Sequence, residues 1–173
     1  RLLGVDSSLM RLPNEKELGE VFGWQECSNQ RGSTGTAYPE ARLSVLYDLL
    51  NGIGLDTRLE SSRLGEVALA IEQLAGVRRD DVVINDRGFS GYLYFAWVLH
   101  QQGHLVSRCS SASFLTAQEL FRRNRANMSR IVWLHALPTQ KSECQRLGLP
   151  LKIKVRFVSL RLPTGELEVL ATS

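Results

Sequence analysis

The strongest constraint in this sequence is a pattern that occurs twice: a short run of strand-type apolar residues leading into an aspartate. Leu2-Leu3-Gly4-Val5 runs into Asp6, and Val82-Val83-Ile84 runs, through Asn85, into Asp86-Arg87-Gly88. A run that is apolar at every position suits a strand buried on both faces of a sheet. Bringing a carboxylate to the end of such a strand does little for stability. It does suit a hard cation, because Mg²⁺ takes oxygen ligands from one or two carboxylates and leaves its other positions to water or phosphate. If the two strands lie side by side, Asp6 and Asp86 can share an ion. Two such ions can activate a water and stabilise the leaving oxygen in phosphodiester cleavage. The competing reading makes either aspartate a helix cap or a loop solvator. Gly88 permits a tight exit from the second strand. Arg87 suits a phosphate, or is an ordinary surface arginine.

Between the two aspartates the chain reads as an antiparallel pair followed by a helix. Arg11 to Gly35 is polar and rich in Gly, Ser and Asn, which predicts a long surface loop with one helical turn around Glu15–Val21. Leu43–Leu50 and Ile53–Leu59 are apolar-rich runs on either side of Asn51-Gly52, a dipeptide that favours a two-residue hairpin turn. Val67, Ala70, Ile71 and Leu74 recur at helical spacing, with Gly76 as the stop. After Asp86, Tyr92, Phe95, Ala96 and Leu99 mark a second helix, with Ser90 as cap and Gly103 as stop, and His104-Leu105-Val106 begins another strand. The order is that of a mixed α/β sheet with an antiparallel half and a parallel half.

Beyond Cys109 the character changes. Leu115 to Leu120 combines a capping box with a hydrophobic staple and predicts a helix. Ile131–Leu137, Leu151–Leu162 and Leu167–Leu170 read as strands, with a turn at Pro163-Thr164-Gly165-Glu166. We therefore expect an α/β core over residues 1–110 and a β-rich appendage over 111–173.

Composition narrows the function classes. Hydrophobic residues at 43% of 173 supply a real core, and charged residues at 23% argue against disorder. The net charge of +3 permits a polyanionic partner without demanding one. Cys27, Cys109 and Cys144 are odd in number and show no CxxC spacing, which speaks against a disulfide framework or zinc knuckle and for a reducing, cytoplasmic setting. The longest apolar run, Tyr92 to Leu99, is too short to span a bilayer, and no membrane partner is expected. The chain opens at Arg1 rather than Met and closes after a strand-like stretch, so a piece of a longer protein is expected.

Several further residues carry alternatives. Lys152, Lys154 and Arg156 alternate with Ile153, Val155 and Phe157, giving one basic and one apolar strand face. The basic face suits a DNA backbone, or is the wet side of an ordinary sheet. Arg122, Arg123, Arg125 and Arg130 cluster near a helix end, where DNA contact competes with stabilisation of the helix dipole. Trp133 in the appendage can stack on a base, but burial in a small core is the expectation. Asp48 is a further candidate carboxylate or a strand-end residue. His100, His104 and His135 lack metal-ligand spacing. Gly32-Ser33-Thr34-Gly35-Thr36 lacks a P-loop lysine and is expected to be a flexible loop.

Val5-Asp6-Ser7-Ser8, Arg11-Leu12-Pro13, Ala41 to Asp48 and Ile84-Asn85-Asp86-Arg87-Gly88-Phe89-Ser90-Gly91-Tyr92 together resemble bacterial insertion-sequence DDE transposases of the insertion-sequence-four-like family. The resemblance runs in order along nearly the whole chain, and its most specific part is Asp-Arg-Gly-Phe. It implies an RNase H-like mixed five-stranded sheet with a mostly β insertion. It implies that Asp6 and Asp86 are the first two catalytic, metal-holding carboxylates, with Mg²⁺ or Mn²⁺ as cofactor. It implies double-stranded DNA, as element ends and target, for a partner, and a homodimer on paired ends. The family's third carboxylate lies in a Tyr-x-x-Arg-x-x-x-Glu motif. Three residues after the four tyrosines stand Ala41, Leu50, Phe95 and Trp97, so the motif is absent. Glu166 and Glu168 flank a turn and are expected to face solvent. That departure keeps a second reading open, a non-catalytic DNA-binding or interaction module. A third, a doubly wound nucleotide-binding protein, requires the first strands to be parallel.

Overall fold

The computed structural model describes the backbone of residues 1–29 and 32–173, and side chains outside 27–36. Its elements run β1 (Leu2–Arg11), α1 (Lys16–Phe22), β2 (Trp24–Asn29), β3 (Gly32–Asp48), β4 (Ile53–Ser61), α2 (Glu66–Gln73), β5 (Val82–Asn85), α3 (Tyr92–His100), β6 (His104–Arg108), α4 (Leu115–Arg123), β7 (Met128–His135), α5 (Lys141–Arg146), β8 (Lys152–Arg161) and β9 (Leu167–Thr172). The result is a mixed α/β fold on one nine-stranded sheet, in the order β2-β3-β1-β5-β6-β9-β8-β7, with β4 also paired to β3.

The two aspartate-tipped runs become neighbours. β1 pairs parallel with β5, and β5 parallel with β6, whereas β1 pairs antiparallel with β3 and β3 antiparallel with β4. This antiparallel half removes the doubly wound reading. The β3–β4 turn is wider than expected. Asp48 pairs with Ile53, so four residues, Leu49 to Gly52, make the connection, with Gly52 at φ +67. Asp48 organises it: its carboxylate accepts the Leu50 and Asn51 amides, each at 3.2 Å, and the Asn51 side-chain amide at 2.9 Å. Asp48 is thus a strand-end residue that builds a turn.

Within Arg11–Gly35 the expected helical turn is α1, but most of the expected loop is the β2–β3 hairpin, and Gly32–Thr36 belongs to β3; Gln30 and Arg31 lie outside the described residues. Mutual pairing of β2 with the first half of β3 overrides the local turn-rich composition. The strands after residue 110 continue the same sheet, because β9 pairs with β6, β8 with β9 and β7 with β8. The five strands expected of the core, β4-β3-β1-β5-β6, are therefore part of one larger sheet that the later strands and β2 extend.

The core lies on one face. Leu3, Val5, Leu46, Val83 and Leu105 point to it from the central strands and are buried. α3 is apolar nearly all round and sinks Tyr94, Phe95, Ala96 and Val98 into that layer, as such a helix must. Rings carry the core toward the C-terminal strands: Phe95 to Phe114 at 5.3 Å, then Phe114 to Phe157 at 5.6 Å between centroids. α4 and α5 join the same layer through Ala117, Leu120 and Cys144. Gly4, Asp6, Tyr47, Ile84, Ile131 and Trp133 occupy the alternate positions and face away from it.

Two helix starts differ from expectation. Gly91, not Ser90, is the N-cap of α3, and Phe114 that of α4, neither with a side-chain cap bond. Ser90 is drawn off by the sheet, donating to the Arg108 carbonyl at 2.6 Å.

Leu3 is fully buried on the helix face of β1. Leu3→Ala should cost about 2–5 kcal/mol, read as a lower urea midpoint at an unchanged slope. Asp81 adds a pH dependence. Burial alone would lift its carboxyl, but the Arg1 guanidinium, the Arg78 amide and the Arg1 amino group hold it far below the ordinary 3.8. A depressed folded-state pKa stabilises above the unfolded value and is lost as pH falls through the folded one. Stability should therefore drain below about pH 4, and Asp81→Asn should flatten that acid limb in thermal melts.

Candidate functional site

Register settles where the two aspartates stand. β1 and β5 advance together through Leu2/Val82, Leu3/Val83 and Gly4/Ile84, and Asp6 and Asp86 each lie two residues further on. Asp86 keeps an extended backbone, φ −81 and ψ 178, so the alternation of faces carries through it. Asn85 pairs with Ser107, which puts Arg108 in the next place. Val45 pairs with Asp6, and Leu170 with Arg108. One row across the sheet therefore reads Val45, Asp6, Asp86, Arg108, Leu170, on the face opposite the helices. Asp6 and Asp86 are exposed there. A shallow cavity of about 370 Å³ opens beside Asp6, lined by Gly4, Val45, Tyr47 and Leu49. Asp6 accepts its neighbour Ser7's amide at 2.8 Å and caps no helix.

Asp86 is not bare. Arg108 reaches it with Nη1 at 3.2 Å and reaches Glu168 with Nη2 at 2.8 Å. Arg87 donates to the same Glu168 oxygen at 3.2 Å and lies 3.5 Å from Glu166. Glu168 was expected to face solvent; it is buried, with a side chain only 4% exposed, because the two guanidiniums close over it. Glu166 remains exposed, as expected. The second Glu168 oxygen, Oε1, is buried with no hydrogen-bond partner. Arg108 is held in its charged form, chiefly by its bond to Glu168, against the opposing effect of burial.

Beneath the row, on the helix side, polar groups fix the strand ends. The buried Asn85 donates to Ser107 Oγ at 2.7 Å, and Ser90 Oγ lies 2.9 Å from Ser107 Oγ. Glu66, at the start of α2, accepts from Ser7 at 3.0 Å and pairs with Arg42 at 3.8 Å. A Cβ on Gly88 would come within 2.8 Å of Glu66 Oε1. The glycine after Asp86-Arg87 thus makes room for the carboxylate that ties α2 to β1. Sequence reasoning missed Arg108, Glu168 and Glu66 as parts of this site. Only strand register relates them to the aspartates.

The basic residues divide into two groups on opposite faces. Lys152, Lys154 and Arg156 project from β8 on the face of the aspartates, while Ile153, Val155 and Phe157 are buried beneath. Trp133 is 57% exposed on that face, opposite Lys154, with Lys152 Nζ 5.1 Å from its ring centroid. Its expected burial fails because β7 is an edge strand whose outer face no element covers among the described residues. Arg122, Arg123 and Arg125 lie at the end of α4, on the helix side. Arg123 pairs with Glu119 at 2.5 Å, Arg130 lies 3.9 Å from the same carboxylate, and Asn124 ends the helix at φ 49. Arg122 and Arg123 lie in the last turn of α4, and this second cluster is on the face opposite the β8 row.

Among the described residues no three His, Cys, Asp or Glu side chains gather closely enough to form a complete metal cage. No helix is long and apolar enough to cross a membrane. No family model and no curated protein matches the chain. The fold is similar to that of the piggyBac transposase in the cryo-EM structure of its synaptic complex with hairpin DNA, with a TM-score of 0.55 and 11% identity. The match covers 99% of this chain and 32% of the transposase chain. The shared feature is the mixed α/β fold.

If Asp6 and Asp86 stand at the sheet surface for chemistry rather than stability, neutralising them should be nearly silent in unfolding. Asp6→Asn and Asp86→Asn should each change stability by less than about 0.5 kcal/mol in urea titrations. A loss of several times that would assign the carboxylate a structural role.

Proposed function

We propose that this chain is the larger part of the catalytic core of a DDE-type DNA transposase, related to those of bacterial insertion sequences. The observation that carries this reading is the placing of Asp6 and Asp86 in adjacent positions of one row, by parallel strands far apart in sequence. The strand sequence β4-β3-β1-β5-β6, antiparallel then parallel, supports an RNase H-like core over residues 1–110. Residues 111–173 then form a β-rich insertion that extends the sheet through β9.

Two exposed carboxylates side by side are a donor set that fits a hard divalent cation such as Mg²⁺ or Mn²⁺. Asp6 and Asp86 would hold it. Bound there, the ion supplies Lewis-acid polarisation of a phosphate oxygen and a more acidic water. The chain's own part is positional. Asn85, Ser107 and Ser90 fix the ends of β5 and β6, and Glu66 ties the start of α2 to β1 through Ser7. Lys152, Lys154 and Arg156, on the same face, would grip the backbone of double-stranded DNA. Arg87 is committed to Glu168 and Glu166, which reduces its availability for phosphate. Arg122, Arg123 and Arg125 can meet DNA only along a separate path. The missing Tyr-x-x-Arg-x-x-x-Glu motif means that this chain alone should carry out little strand transfer. In a bacterial parent protein we expect a cytoplasmic enzyme, paired as a homodimer on element ends.

The missing motif also favours a second reading, a DNA-binding remnant of the fold. One titration separates the two: anisotropy of a short duplex with and without Mg²⁺. The transposase reading expects Mg²⁺ to strengthen wild-type binding and not that of Asp6→Asn or Asp86→Asn. Salt-dependent binding indifferent to both substitutions supports the remnant. Replacing Lys152, Lys154 and Arg156 together by Gln should weaken binding equally for all duplex sequences. The slope of log affinity against log salt should fall by up to about 2.7, at about 0.9 per phosphate contact.

A further inference from the structure

Arg108 follows Asp6 and Asp86 in the row, next to Asp86, and its guanidinium is shared between two carboxylates. The two bonds are unequal in setting. Asp86 is 64% exposed at the side chain, and Glu168 only 4%. Glu168 takes Arg87 and Arg108 on the same oxygen, Oε2, while its buried Oε1 has no donor. A buried carboxylate oxygen without a partner is costly. The obvious group to satisfy it is the arm of Arg108 now spent on Asp86, since a guanidinium can bind both oxygens of one carboxylate through two parallel N–H bonds.

Resting on the reading that Asp6 and Asp86 hold a divalent cation, we propose that Arg108 is a two-position counter-ion: it caps Asp86 while the site is empty and withdraws onto Glu168 when Asp86 takes a cation. In the first position the guanidinium neutralises the exposed Asp86 and lessens its repulsion with Asp6. In the second, its Nη1 turns from Asp86 to Glu168 Oε1, so no charge is stranded and the orphaned oxygen is satisfied. Arg87 stays on Oε2 throughout and keeps Glu168 neutralised. Arg108 is thus a positioning residue, and Glu168 is the acceptor that makes its withdrawal possible.

The two residues then act on cation binding with opposite signs, which a purely structural role would not produce. The test is the affinity of the whole chain for Mn²⁺ alone, read from the electron paramagnetic resonance of the free ion. Arg108→Gln, which removes the competing cation from an exposed pair, should bind roughly three- to tenfold tighter than wild type. Glu168→Gln, which removes the retreat and leaves Arg108 to Asp86, should bind several-fold weaker. Asp86→Asn should lose most binding. If Asp86→Asn loses binding while the other two variants shift together or not at all, the counter-ion role is wrong and the metal reading survives. If Asp86→Asn binds as wild type does, the metal reading fails and the counter-ion role with it. Should Glu168→Gln fail to fold, Arg108→Gln decides alone: tighter binding supports the role, and unchanged or weaker binding overturns it.

Discussion

The proposed site hangs on a short stretch of parallel pairing, Leu2–Gly4 against Val82–Ile84. Parallel neighbours cannot be joined by a tight turn, so the chain between them must travel far before it returns. Here it makes the antiparallel β3–β4 pair and α2 on the way. Because side chains alternate along a strand, this pairing also decides faces. Leu3, Val5 and Val83 go to the helices, and Gly4, Ile84 and the two aspartates go to the other side. A one-residue slip of β5 would bury Asp86 among α3 side chains, at a cost in unpaired charge that no contact there could offset.

The sheet is consequently asymmetric. Its helix face is a continuous apolar layer from Leu46 through Phe95 to Phe157. Its other face is a mixed surface, with carboxylates and Arg108 in the middle and Lys152, Lys154 and Arg156 on the extension through β9 and β8. The extension does more than lengthen the sheet. It brings Glu168 to the end of β6, where Arg108 and Arg87 converge on it. Charge at the site is therefore set by a residue from the C-terminal strands as much as by the central ones.

Much of the central sheet was legible in the sequence, because uniformly apolar runs such as Val82-Val83-Ile84 have few other places to go. The helices at Val67–Leu74 and Tyr92–Leu99 were equally plain from their periodicity. The β2–β3 hairpin was not, since Gly, Ser and Asn dominate there and only pairing with each other makes strands of them. Trp133 was misread for a related reason: an aromatic in a strand signals burial only if it falls on the covered face, and Trp133 falls on the face opposite the helices. Asp6 and Asp86 could be picked out individually as strand-end carboxylates, but their adjacency could not be derived without register. Arg108 and Glu168 carried no local signal at all. An arginine closing one strand and a glutamate opening another look like ordinary surface residues until β9 is laid against β6.

The central claim is that Asp6 and Asp86 form one cation site, and cleavage of the chain by bound Fe²⁺ tests it most directly. With ascorbate and peroxide, an iron ion held by both carboxylates should cut the backbone near residue 6 and near residue 86 in the same molecule. Excess Mg²⁺ should suppress both cuts together. Cuts at one segment only, or at neither, would contradict the shared site.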